Sequence, residues 1–175
     1  METIAYETID NVLSEWQQYF DPEEFSILRE FVYNTANHIP YNKMLIFVGP
    51  GSTGKTTLLR RLFAFIGRQN CLYSALKYKK EEDECNDEED EEELIRDNND
   101  CTKHLIAYDH DKGKIYDGYI KNILSRQPIV FRPLYQEKQC CIPAANIILV
   151  SDDISQLNKT LLMRSNVIHF THKFK

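Results

Sequence analysis

No stretch of this sequence stays apolar long enough to cross a bilayer. The longest uninterrupted apolar runs are five residues, against the ~20 that a spanning helix needs. The opening residues, METIAYETID, are acidic and lack an apolar centre, so no secretory leader is expected. The five cysteines, Cys71, Cys85, Cys101, Cys140 and Cys141, form no CxxC pair and no zinc spacing, and their number is odd. A reduced intracellular compartment fits this pattern best. No internal repeat is visible, which removes solenoids.

What is present is a 175-residue chain with 42% hydrophobic residues, enough for one domain with a real core. The net charge of −6 is unevenly spread. Residues 81–93, EEDECNDEEDEEE, hold 11 of the 27 acidic residues, leaving 16 against 21 basic ones elsewhere, a balance of +5. The remainder is therefore mildly basic and suited to a polyanionic partner. The low-complexity stretch around the run, about residues 79–100, reads as a mobile acidic insertion. It is either a solvated loop or a nucleic-acid mimic that competes for the basic surface.

The periodicity divides the chain into an N-terminal helical segment, residues 1–40, and an α/β core, residues 41–175. Ile9, Val12, Leu13, Trp16 and Phe20 share one helical face. Asp21 and Pro22 restart a helix in which Glu24 is placed to complete a capping box. In the core, MLIFVG, CLYSALKY, HLIAYD, IVFRPLY, ANIILVSD and NVIHFTHKF read as strands. Helices are expected after the first, over IYDGYIKNILSRQ, and over ISQLNKTLLMRS. Strands alternating with helices predict a mostly parallel sheet with helices on it.

Between the first strand and its helix lies GPGSTGKT, which fits G-x-x-x-x-G-K-[ST] in the strand–loop–helix context the motif requires. Such a loop points backbone N–H groups at phosphate and ends on a helix N-terminus. The expected ligand is ATP with Mg²⁺, held by Gly49, Pro50, Gly51, Ser52, Thr53, Gly54, Lys55, Thr56 and Thr57. Gly51 and Gly54 would permit the turn. Lys55 would bridge the β- and γ-phosphates, and Thr56 would supply a metal-binding hydroxyl. A second metal-side carboxylate is expected at another strand end. Asp109 is the candidate, with Asp111 as a substitute. Asp152 and Asp153 form a further acidic pair.

The order of these motifs resembles the superfamily-three DNA helicases of viruses, including parvovirus replication initiators and the helicase halves of poxvirus-type primase-helicases. The resemblance spans residues 44–174 and rests on GPGSTGKT, IAYDH, YIKNILSRQPI, FRPLYQEKQ, NIILVSD and LLMRSNVIHF. It implies an AAA+-like P-loop NTPase that assembles into a homo-oligomeric ring such as a hexamer. It also implies ATP hydrolysis between subunits, translocation along single-stranded DNA and work beside viral replication proteins in the host nucleus or cytoplasm. Lys55 and Thr56 match the nucleotide-binding pair, and Asp109 the first acid of the second motif. Asp152 falls at the family's sensor asparagine, and Arg164 matches the arginine finger that reaches a neighbour's γ-phosphate. Lys138, in QEKQ, falls at the tip of the DNA-contacting hairpin. Lys121 and Arg132 are further candidates for anionic groups. The family's N-terminal helices often form an oligomerisation collar, and here no origin-binding, nuclease or primase domain is expected before residue 1.

Two positions depart from the family pattern. His110 stands where a water-activating Glu usually follows the Asp, and imidazole is able to serve as a base near neutral pH. Asp152 replaces the sensor asparagine, bringing an acid near the expected γ-phosphate. These departures keep open a helicase-like nucleotide-binding module without strong turnover. Length also permits a small P-loop nucleoside or nucleotide kinase, although the candidate lid region is acidic rather than arginine-rich.

Overall fold

The structure is a computed structural model, which describes residues 2–75, 103–110, 117–131, 137, 139–155 and 157–172. The expected acidic insertion, Asp111, Arg132 and Lys138 lie outside the described residues. Helix α1 (Tyr6–Leu13) leads through a 3-10 turn at Gln17–Tyr19 into α2 (Pro22–Ala36). Strand β1 (Met44–Val48), helix α3 (Lys55–Ile66) and strand β2 (Cys71–Ala75) follow. Then come β3 (Leu105–Asp109), α4 (Asp117–Leu124), β4 (Ile129–Phe131), β5 (Gln139–Cys141), β6 (Asn146–Ser151), α5 (Lys159–Met163) and β7 (Ser165–His169).

Five strands form one parallel sheet in the order β2-β3-β6-β1-β7. All five β1 residues and all six β6 residues are buried. The apolar runs MLIFV and IILV within them suit strands covered on both faces. The two faces follow the period of two along each strand. Leu45, Phe47, Leu105, Ala107, Ile148 and Val150 face α1, α2 and α3. Met44, Ile46, Val48, Ile106, Tyr108, Ile147 and Leu149 face α4 and α5. Leu28, Phe31 and Val32 of α2 belong to the first layer and are fully buried, each contributing about 1.5–3 kcal/mol of apolar burial. The N-terminal helices and the sheet thus share one core.

Three local readings change. Asp21 does cap α2, its Oδ2 accepting from the Glu23 N–H at 3.3 Å. Glu24, however, turns to β7: its Oε1 lies 2.6 Å from His169 Nδ1 and its Oε2 accepts from the His169 N–H. The last helix is shorter than ISQLNKTLLMRS, because the Asn158 side chain caps it by accepting from the Thr160 N–H at 2.8 Å. Finally, β4 pairs antiparallel with β5, with Phe131 opposite Gln139 and Ile129 opposite Cys141. QCC is therefore the return strand of a hairpin, whereas NIILVS joins the main sheet.

Candidate functional site

The sheet order brings the carboxyl ends of β3, β6 and β1 side by side. Val48 is in register with Ser151, and Val150 with Asp109. The chain leaves β1 into residues 49–54, leaves β3 at His110 and leaves β6 at Asp152, all at one edge. Ligands in open parallel sheets bind at this edge.

The loop after β1 is stitched to its neighbours at the start. The Gly49 N–H donates to the Ser151 carbonyl at 3.3 Å, and the Phe170 N–H donates to the Val48 carbonyl at 2.7 Å. Ser52 and Gly54 adopt left-handed φ of 62° and 90°, and Gly54 is the N-cap of α3. Gly51 has no positive φ and open space around its Cα, so the turn is carried by Ser52 and Gly54 rather than by Gly51 as expected. Thr53 is buried, its hydroxyl donating to the Pro50 carbonyl at 2.7 Å. Thr56 and Thr57 are exposed on the first turn of α3.

Lys55 is only 7% exposed. Its ammonium donates to the Gly49 carbonyl, donates to the Pro50 carbonyl at 2.8 Å and pairs with Asp152 Oδ1 at 3.1 Å. Asp153 serves a different purpose. Its carboxylate accepts from the Ser155 N–H and hydroxyl, bonds that hold it below the usual carboxylate range. Of the acidic pair, Asp152 is the one that reaches Lys55.

Asp109 is exposed at the end of β3, and its Oδ2 accepts from the Tyr73 hydroxyl at 2.8 Å. Partial burial, then this bond, pushes the Tyr73 phenol up to about 12. His110 donates its backbone N–H to Val150 and sets Nδ1 3.2 Å from Ser151 Oγ. The Ser151 hydroxyl donates its one hydrogen to the Asp153 carbonyl at 2.7 Å. Towards His110 it therefore accepts, which assigns the hydrogen of the neutral ring to Nδ1. Tyr73 and Ser151 were not singled out by the sequence. Tyr73 reads there as an ordinary strand residue, and only the pairing of β2 with β3 puts it beside Asp109.

Arg164 is placed elsewhere. It follows α5, donates from Nη1 to the Ser125 hydroxyl at 3.1 Å and accepts the Met44 N–H on its carbonyl. Met44 begins β1, whereas residues 49–54 follow its end. Five residues at about 3.3 Å each separate the two edges by roughly 16 Å. Arg164 thus lies at the opposite edge of the sheet from Lys55 of its own chain. Lys121 is half-buried on α4.

The parallel five-stranded sheet and the loop between β1 and α3 define an α/β protein with a P-loop NTPase-like fold. No family model matches the chain, and no curated protein matches it. Solved structures do match, 286 chains in all. One is the A form apo structure of the NrS-1 C-terminal region, at 16% identity and a TM-score of 0.59. The alignment covers 96% of this chain and 38% of that one, and at this identity the likeness is one of fold. No helix among the described residues is long and apolar enough to cross a membrane.

Proposed function

We propose that this chain is an ATP-binding and ATP-hydrolysing DNA helicase or translocase subunit of viral type, which works as a homo-oligomeric ring on single-stranded DNA. The observation that carries this reading is the convergence of Lys55, Asp109, His110 and Asp152 on one sheet edge around a glycine-turned loop. The fold likeness to the NrS-1 C-terminal region supports it.

In this mechanism the backbone N–H groups after Gly49 and the amino end of α3 hold the phosphates. Lys55 neutralises charge on the β- and γ-phosphates. The exposed hydroxyl of Thr56 and carboxylate of Asp109 are hard oxygen donors of the kind Mg²⁺ prefers. Bound there, the ion would supply charge neutralisation on the phosphate oxygens. His110, which follows β3 at this edge, is the imidazole base in place to accept a proton from water. Arg164 acts on the site of a neighbouring subunit, and Lys138 on the DNA backbone.

The decisive experiment is phosphate release from ATP with and without single-stranded DNA, read beside the solution mass. Magnesium-dependent turnover, stimulated by DNA in an oligomer and abolished in Lys55→Ala, is expected. Absence of hydrolysis with every oligonucleotide would overturn the motor. A second reading, a nucleotide-binding module with little turnover, draws on the pairing of Lys55 with Asp152 and on His110 in place of a carboxylate base. It predicts ATP binding without DNA-stimulated phosphate release.

A further inference from the structure

Asp152 stands 3.1 Å from the ammonium of Lys55 through Oδ1. An ammonium has three hydrogens to donate. Lys55 donates to the Gly49 and Pro50 carbonyls and is ion-paired with this carboxylate. A phosphate that takes a charge-assisted bond from Lys55 must come to an ammonium already surrounded by these three partners. The two carbonyls belong to the loop backbone, and Gly49 is pinned there by its bond to Ser151. The Asp152 side chain is 79% exposed, whereas that of Lys55 is 8% exposed. The carboxylate is thus the partner that can swing into water at little cost. It is also the only one of the three with a net negative charge, and a phosphate beside it is repelled.

We propose that Asp152 is a built-in competitor for the phosphate site, its carboxylate and the incoming phosphate contending for the same ammonium. The inference rests on the nucleotide-binding reading above and adds a residue that sets nucleotide affinity. The competition weakens binding of every phosphate chain. It weakens metal-free chains most, because a magnesium-bound triphosphate brings less net negative charge beside the carboxylate. Asp152 thereby favours the metal complex over the free nucleotide.

The test is titration calorimetry with ATP and with inorganic tripolyphosphate, each in magnesium and in chelator. The proteins are the wild type, Asp152→Ala, Asp152→Asn, Asp152→Glu and the charge control Glu7→Gln on α1. Asp152→Ala and Asp152→Asn should bind metal-free ATP about two- to fivefold tighter, the scale of one exposed charge contact. The gain should be smaller in magnesium. Asp152→Glu and Glu7→Gln should stay near the wild type. If Asp152→Ala binds as the wild type does while the wild type binds ATP, the competition is overturned and the nucleotide site stands. If only Asp152→Asn gains, the new amide donor explains it and the proposal falls. An equal gain in Glu7→Gln would reduce it to net charge and overturn it. Absence of heat for all five proteins would overturn the nucleotide reading as well.

Discussion

At Gly49 an added Cβ would meet the Phe170 carbonyl oxygen at 2.2 Å and the Phe170 Cβ at 3.0 Å. Phe170 is held there by its bond to Val48 and by ring contacts with Phe20 and Phe47 at 5.1 Å each. Gly49→Ala should therefore cost about 1–3 kcal/mol in urea unfolding, the range for a forced overpacking. Gly51→Ala, with open space and no positive φ, should stay within about 1 kcal/mol. A second residue-scale effect concerns acid. His104 lies with its Nδ1 2.7 Å from that of His38. Burial, then His38 and Lys103, hold its pKa below the usual histidine value of 6.5. A histidine depressed in the folded state contributes stability above 6.5 and loses it as pH falls through the folded value. Melting temperatures of His104→Gln should fall less than those of the wild type between pH 7 and 5.

Among the elements, β2 and α2 make opposite predictions. Strand β2 is the sheet edge, and Cys71 and Tyr73 both have raised pKa values, the first to about 11 through burial. Raised acids contribute stability that is whole below their ordinary values, 9.0 and 10.0, and is lost as pH climbs through about 11 and about 12. Alkaline unfolding should begin at β2, and Tyr73→Phe should blunt it, read by hydrogen exchange of the strand amides. Helix α2 has the other character. Leu28 is fully buried in the same layer as Phe47 and Leu58. Leu28→Ala should cost about 2–5 kcal/mol and lower a single cooperative transition. Two separate transitions would show that α1 and α2 form an independent unit.

For the whole molecule, the separation of Arg164 from Lys55 across the sheet matters most. From that edge Arg164 does not reach the Lys55 of its own chain. Lys55→Ala and Arg164→Ala should each lower ATP turnover by about 10³-fold or more if Arg164 stabilises transition-state charge. Mixed, they should regain part of it, because an Arg164→Ala subunit keeps its own P-loop and borrows the arginine of a Lys55→Ala neighbour. Absence of rescue in mixed oligomers would remove Arg164 from the mechanism and leave it as the cap of α5 bonded to Ser125.

The sequence by itself determined the central strands of the parallel sheet, since MLIFV and IILV are unbroken apolar runs. It also placed GPGSTGKT between a strand and a helix, where the structure has it between β1 and α3. It marked Asp109, His110 and Asp152 as strand-end residues. Only the tertiary structure decided what those residues touch. Strand order set Tyr73 against Asp109, Ser151 against His110, and Asp152 rather than Asp153 against Lys55. It likewise drew Glu24 from its capping box to His169 and paired IVF with QCC. The reason is physical. Burial and local turns are written in spacing along the chain, whereas hydrogen bonds across strands depend on register between segments far apart in sequence.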